Sequence, residues 1–415
     1  MKFLFLLIAS GVFAASIDRN GLNSNLDLDE DEFLDEFHLP PVDDPVERAR
    51  RAEALEQHQH EVQEVNEAFM AGNKTWYDAI NEFSDIPDDE FLETHTGLVE
   101  DEERRYDERS EKFYDAYRYS RQSIPASYNS VSLGHVSPVK SQGSCGSCAA
   151  FATMGLVETC FKKVLGVFGD YSEQHFLDCG YNGQNINGCN GASVGGYAQW
   201  LTGDDFNGDL ASEAEYSYTG VRGTCRSDFS AFYQGAKISD MYYTWSGDEE
   251  TMARLVAEHG AVMTAVGVNS GFSSYSGGVY AGCTGDSINH GVVVVGYGTE
   301  DGVDYWLVKN SWGSSWGDEG YIKVQRGVGM CGIGRYHVTL SCEEGTAPAP
   351  TTTPAPTSAP GPSPTSGEIQ SPDYPDRYPH NQNQVSLALH YFPAQTTNII
   401  VRPGTWRSPL ERLLS

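Results

Sequence analysis

The sequence predicts an α+β protein of two lobes, a helix-rich one followed by a strand-rich, antiparallel and barrel-like one, with a separate helical segment ahead of both. Three observations predict it. From Cys148 to Leu165 apolar and small residues recur at helical spacing, and Lys162, Lys163 and then Gly166 form a helix stop. Further on, Gly291–Tyr297, Tyr305–Val308 and Tyr321–Val324 are short apolar runs rich in β-branched and aromatic residues, the pattern of strands. Upstream, Glu47 to Asn66 holds no Gly or Pro, and Val46, Leu55, Val62 and Val65 recur among Glu, Arg and Gln, which predicts a helix with one exposed face; a second, short helix is expected from Pro87 to Glu93.

Composition sets the bounds. The chain has 415 residues, of which 39% are hydrophobic, enough to bury a full core. Its formal net charge of -31 repels phosphates and anionic lipid, which argues against nucleic-acid and membrane-surface roles. Most of the excess lies upstream, with 31 acidic and 11 basic residues from Ile17 to Arg121 against 23 and 11 from Gln122 to Gly345. Met1-Lys2, the apolar run Phe3–Ile8 and the small residues Ala14 and Ala15 read as a signal peptide over residues 1–15, too short for the roughly 20 apolar residues that cross a bilayer. No later segment is predicted to span one. Entry into the secretory pathway places the nine cysteines, all between Cys145 and Cys342, where most pair, and the odd number leaves at least one over. That sulfur is either a structural thiol or a nucleophile.

Composition also divides the chain. Residues 16 to about 45 carry the run Asp27-Leu28-Asp29-Glu30-Asp31-Glu32, expected to be solvated and without structure. Residues 124–345, rich in Gly, Tyr and Cys, form the one stretch long enough for a large core. The Thr/Ala/Pro/Ser tract at 346–366 is a linker, and 367–415 is a short segment without cysteine.

The densest chemical signal is Gln142-Gly143-Ser144-Cys145-Gly146-Ser147-Cys148. Taken alone, Cys145-x-x-Cys148 also fits a redox pair or half a zinc site, but a second ligand pair at similar spacing and a clear preceding strand are both missing. A nucleophile at Cys148 would open the predicted helix, where the dipole and free N–H groups favour a thiolate. Gly143 and Gly146 let the loop bend so that the Gln142 amide, with the Cys148 N–H, can hold an oxyanion. His290, just ahead of a strand, is the candidate base, Asn310 can accept from its ring, and Trp312 can shield that bond from water.

With these residues in place the chain resembles the papain family of cysteine peptidases over Ile124 to Cys342, through Gln142 and Cys148, through Asn289-His290-Gly291, and through Asn310-Ser311-Trp312-Gly313 followed by Ser314-Ser315-Trp316-Gly317. The resemblance implies the papain-like fold and an acyl-enzyme mechanism through a Cys148 thiolate and His290 imidazolium pair, with no cofactor and no metal. It further implies disulfides Cys145–Cys189, Cys179–Cys225 and Cys283–Cys331; Cys160–Cys342 is expected as a fourth, leaving Cys148 free. Protein and peptide substrates, the chain's own propeptide as intramolecular inhibitor, a monomeric mature enzyme and a secreted or lysosomal location follow from the same likeness. An alternative from another class is a catalytically silent relative acting as a secreted binding protein.

Upstream, the spacing Glu47, Arg51, Leu55, Val62, Asn66 resembles the helical signature of cathepsin L-like prosegments, with His58 where asparagine is usual and Leu55 where an aromatic is usual; Asn81, Phe83 and Asp85 resemble the second prosegment motif, with Ala79 replacing glycine. Residues 16–123 are thus expected to be an acidic propeptide, inhibitory over about 45–100, with Glu100 to Gln122 offering processing sites and the mature chain starting near Ile124. Asn73-Lys74-Thr75 is a glycosylation sequon within it.

Three departures bear on specificity. Ala149 stands where the family has tryptophan, a loss of packing unless neighbours fill the gap. Gly191-Ala192 replaces two glycines beside Ser193 and Val194, whose backbones the family uses as a substrate ladder. Tyr336, by its offset from Cys331, falls at the floor of the main pocket, where its bulk favours a small or medium apolar residue two places before the cut bond. The family's exopeptidase loop is missing between Cys179 and Cys189, so endopeptidase is expected. The segment from Gly367 to Pro379 resembles the opening of a CUB domain but lacks that module's length and cysteines, so it reads as a truncated module or an unstructured tail.

Overall fold

The computed structural model describes residues 22–345, except 24, 100–107, 122, 167, 184, 204–205, 207–208, 231–235, 246 and 284–286. The signal peptide, the linker and the CUB-like segment lie outside the described residues.

The acidic stretch is not merely solvated. α1 (Glu30–Glu36) forms because Asp29 and Glu32 make a capping box, each side chain accepting from the other's N–H, and the acidic first turn suits the helix dipole. Phe33 and Leu34 then reach Leu55, Val62 and Ile80 in a small core of the prosegment's own. The charge run had hidden these two apolar residues. α2 (Pro45–Met70) starts at a Pro in its first turn, with the Asp44 side chain accepting from Val46 and Glu47 N–H at 2.9 Å. Its inner face buries Arg51, Leu55, His58, Val62 and Asn66. Buried Arg51 is held by Glu47 at 2.8 Å, Glu90 at 2.9 Å and Asp85 at 3.4 Å. The Asn66 amide donates to the carbonyls of Leu22 and Asp78 at 2.7 and 3.0 Å, and its oxygen accepts from Asp78 N–H. Asn73 is exposed in the turn after α2.

From there the upstream segment turns onto residues 124–345. β1 (Trp76–Asp78) pairs antiparallel with β7 (Tyr275–Tyr280), and the Asn81 amide donates to the Ser273 carbonyl at 2.8 Å. After α3 (Asp88–His95) and β2 (Leu98–Val99) comes α4 (Glu108–Arg118), in a stretch expected only to offer cut sites. Its Phe113, Tyr114 and Tyr117 lie at i, i+1 and i+4, and Tyr114 is fully buried.

The peptidase region opens with β3 (Tyr128–Asn129). The first lobe is built on α5 (Cys148–Leu165), α6 (Glu173–Cys179), β4 (Ala192–Ser193) and α7 (Gly196–Thr202). α5 ends as its sequence predicts, with Gly166 left-handed at φ 72° and its N–H bonded to Lys162. The second lobe holds β5 (Ala236–Thr244), α8 (Glu249–His259), β6 (Val262–Val266), β7, β8 (His290–Glu300), β9 (Val303–Lys309), β10 (Tyr321–Gln325) and β11 (His337–Glu344). The strands run in the order β1-β7-β10-β9-β8-β6-β11-β5 with β3 on β8, antiparallel except for β7 with β10. The prosegment therefore supplies one edge strand of the enzyme's sheet. Four disulfides join Cys145–Cys189, Cys160–Cys342, Cys179–Cys225 and Cys283–Cys331, and the second ties α5 to β11. Cys148 is left as a buried free thiol.

Candidate active site

Cys148 is the first residue of α5, and the Gly291 N–H donates to its sulfur at 3.3 Å. Gly291 follows His290 at the start of β8, so one strand end brings both groups to the helix terminus. The His290 Nε2 lies 2.8 Å from Asn310 Oδ1. That oxygen also accepts from Ser311 N–H at 2.8 Å, which fixes it as an acceptor and makes Nε2 the protonated nitrogen of a neutral ring. Nδ1, which has no hydrogen-bond partner among the described residues, is then the nitrogen free to take a proton. Trp312 is buried with its ring 4.8 Å from that of His290. The Cys145–Cys189 bond leaves Cys145 unable to form a redox pair with Cys148.

The charges are off in this state. Burial pushes the Cys148 thiol up to about 12, although the Gly291 and Ala149 N–H groups pull the other way. Burial likewise lowers His290 to about 4, against the opposing bond to Asn310. Covering the cleft therefore disfavours the charged form of both groups.

The cover is the prosegment. Gly97 and Leu98 N–H donate to the Asn289 carbonyl at 3.1 and 2.8 Å, the Ala192 N–H donates to the Gly97 carbonyl at 2.9 Å, and β2 runs parallel to β4 with Leu98 opposite Ala192 and Val99 opposite Ser193. Gly191, Ala192, Ser193 and Asn289 thus meet a peptide backbone, and it is the chain's own, whereas Val194 is buried in the core of the first lobe. The Gln142 amide donates to Cys145 O at 2.9 Å and reaches the prosegment carbonyls of His95 at 3.3 Å and Thr96 at 3.5 Å, while its oxygen accepts from Ser311 Oγ. It points to the chain crossing the cleft rather than at the sulfur. Trp312 Nε1 also donates to the His95 carbonyl, at 2.9 Å.

Gly97 and His95 are the site residues that sequence reasoning missed. Gly97 has φ +132°, and a Cβ there would meet Gly146 O at 2.4 Å, so only glycine passes this close to the nucleophile's loop. The buried His95 ring stacks on Phe91 at 4.7 Å, with Phe83 at 5.1 Å, and burial and nearby His290 together lower it to about 4. A glycine and a histidine two residues apart, just after a predicted helix, were the only hint in the sequence. Phe83 and Phe91 in turn pack edge-on against Trp312 at 6.3 and 5.0 Å, which joins the prosegment core to the ring that covers His290.

Behind Asn310 lies a buried ionic cluster that the sequence did not announce. Lys140 Nζ contacts Glu158 at 3.0 Å, Glu173 at 2.9 Å and Asp170 at 3.0 Å; Ser137 donates to Glu158 and accepts from Lys309 Nζ at 2.9 Å. A cavity of about 20 Å³ between this cluster, Phe151, Gly291 and Asn310 has room for one water. Ala149 is buried, with its backbone against Gly291. Tyr336 is buried too, edge-on to Trp245 at 4.8 Å, and its carbonyl accepts from Thr264 at 2.7 Å.

Known proteins resemble this chain in sequence and fold. The profile of the papain family cysteine proteases matches residues 124–340. Cathepsin L of Sarcophaga peregrina is 35% identical over 69% of this chain and 85% of its own, and a cathepsin L-like peptidase of Aedes aegypti is 32% identical over 80% and 97%. Among solved structures, the digestive procathepsin L 3 of Tenebrio molitor larval midgut superposes with a TM-score of 0.65 at 32% identity, covering 75% of this chain and 97% of that one. The chain accordingly belongs to the papain family of cysteine peptidases and has the form of a zymogen, with its prosegment lying through the cleft.

Proposed function

We propose that the chain is a latent endopeptidase whose reaction runs through Cys148, His290, Asn310 and Gln142. The observation that carries this reading is the bond from His290 Nε2 to Asn310, which turns the other ring nitrogen into a base beside a free thiol at a helix start. Once the cleft is open, the Cys148 proton moves to Nδ1 and the sulfur bonds the peptide carbonyl carbon. The oxyanion takes hydrogen bonds from the Gln142 amide and the Cys148 N–H. His290 then gives its proton to the amine and the C–N bond breaks; a water attacks the thioester while Nδ1 takes one of its protons, the C–S bond breaks to release the carboxylic acid product, and the proton returns from Nδ1 to sulfur. Asn310 keeps the ring in the tautomer this needs. An active-site-directed epoxide should add one label per processed molecule, at Cys148, and none to Cys148→Ser; folded, processed protein that stays unlabelled contradicts the reading. The bulk of Tyr336 supports cutting two places after a small or medium apolar residue, so a peptide library on the same preparation should favour Val or Leu there over Phe.

The leader supports a secreted or lysosomal location, and a midgut digestive enzyme among the structural neighbours makes extracellular digestion a coherent setting. Asn73, exposed in its turn, is proposed as the glycosylated site.

Latency rests on a close passage and on charge. Gly97→Ala should weaken inhibition by the prosegment about tenfold or more, since the residue would be both strained, at about 1–3 kcal/mol, and clashing. Inhibition of the processed enzyme by prosegment added in trans measures it, and unchanged affinity contradicts it. His95 is neutral when docked and faces His290, Phe83, Phe91, Trp312 and Thr94. Its folded value of about 4 lies below the ordinary 6.5, so released prosegment binds the extra proton, and the docking it supports is full above 6.5 and lost as pH falls toward 4. The Glu47 carboxyl, held low by Arg50 and Arg51, acts in the same direction, whereas Asp78, pushed up to about 7 by burial, opposes both. In His95→Phe the acid release step should therefore shift to lower pH; a profile identical to that of the parent protein contradicts this.

A further inference from the structure

α4 belongs by sequence to the segment expected to be discarded, yet it is built into the enzyme. β5 is the last strand of the sheet, and α4 lies on it and on α8. The Phe113 ring is stacked on that of Tyr242 at 3.7 Å with an interplanar angle of 2°. Tyr114 has no exposed surface, and its hydroxyl lies 3.0 Å from both the Tyr242 and His337 carbonyl oxygens, joining β5 to β11 at the residue next to Tyr336. Ser110 Oγ accepts the outward N–H of Tyr243 at 3.2 Å. Tyr117 Oη is 3.0 Å from His259 Nε2, Arg109 pairs with Asp240 and donates to the Met241 carbonyl at 3.2 Å, and Arg118 lies 3.5 Å from Asp248.

These contacts differ in kind from those of the inhibitory part. β1, Asn81, His95, Gly97 and β2 meet the cleft and the β7 edge, where a substrate or solvent can replace them. α4 instead satisfies backbone groups of the opposite edge strand and seals two tyrosines against the core. Nothing that enters the cleft substitutes for it.

We propose that α4 stays docked on the mature enzyme as a permanent part of the strand-rich lobe, so that activation removes the chain upstream of Glu108 while residues 108–118 remain with the enzyme, joined to its chain or bound to it as a peptide. Each cut is a hydrolysis that consumes one water and leaves a carboxylate and an amine. The proposal rests on the reading of the chain as a zymogen activated by proteolysis, but not on which peptidase makes the cut.

Two preparations of the full chain separate those issues. In the first, the zymogen is processed by itself in acid, labelled with the epoxide, purified without denaturant and weighed. In the second, Cys148→Ser zymogen is nicked in trans by a trace of pepsin and treated in the same way. Residues 108–118 are expected in both, either within the protein chain or as a peptide that co-purifies at one per molecule. Labelled enzyme that carries no α4, or a pepsin core that has lost it, overturns the proposal. Failure to label with α4 still present leaves the proposal standing and contradicts the catalytic reading instead. As a second variant, Phe113→Ala with Tyr114→Ala should shed residues 108–118 on processing; if the doubly substituted protein keeps them at one per molecule, the stated contacts do not hold α4 and the proposal fails.

Discussion

One sulfur atom, buried where α5 begins and bonded to the N–H that follows His290, is the constraint around which the rest of the fold is arranged. Cys148 comes from the helical lobe and His290 from the strand lobe, so the geometry between them is only as good as the contact between lobes. That contact is tied by the Cys160–Cys342 bridge, which runs from α5 to β11, and by the cluster of Lys140, Glu158, Glu173, Ser137 and Lys309 behind Asn310. A buried ionic cluster adds little net stability, but losing one member leaves a charge uncompensated, so such a cluster specifies one lobe arrangement strongly.

The prosegment exploits the same burial. It reaches the sheet at one edge through β1, crosses the cleft on the Asn289 carbonyl and the Ala192 N–H, and places a neutral imidazole near His290. Excluding water raises the thiol and lowers the imidazole, so the cover acts on the charge of both groups as well as on access to them. Across the cleft its recognition is largely backbone to backbone, through Gly97, Leu98, Asn289 and Ala192.

Much of this was legible in the sequence, for definable reasons. Cys148, His290 and Asn310 lie in short local motifs that single them out, and the structure brings all three together; α5 announces itself by periodicity and a glycine stop. The prosegment motif was legible because Arg51, Leu55, Val62 and Asn66 share one helix face. What could not be read was tertiary. α1 hides its two apolar residues inside an acidic run, α4 is charged and Arg-rich except for three aromatics, and Lys140 and Glu173 are ordinary surface residue types until the fold buries them together. Gly97 is a lone glycine whose necessity comes from its backbone conformation and from Gly146, some fifty residues away, neither of which its neighbours in sequence reveal.

The most direct measure of the central claim is the rate at which iodoacetamide alkylates Cys148, followed from about pH 4 to about pH 10 in intact zymogen and in processed enzyme. The account predicts a zymogen that reacts only at the alkaline end and a processed enzyme already reactive in acid, because uncovering the cleft lets the thiolate and imidazolium form. Two superimposable pH profiles, with Cys148 equally reactive covered and uncovered, would contradict it.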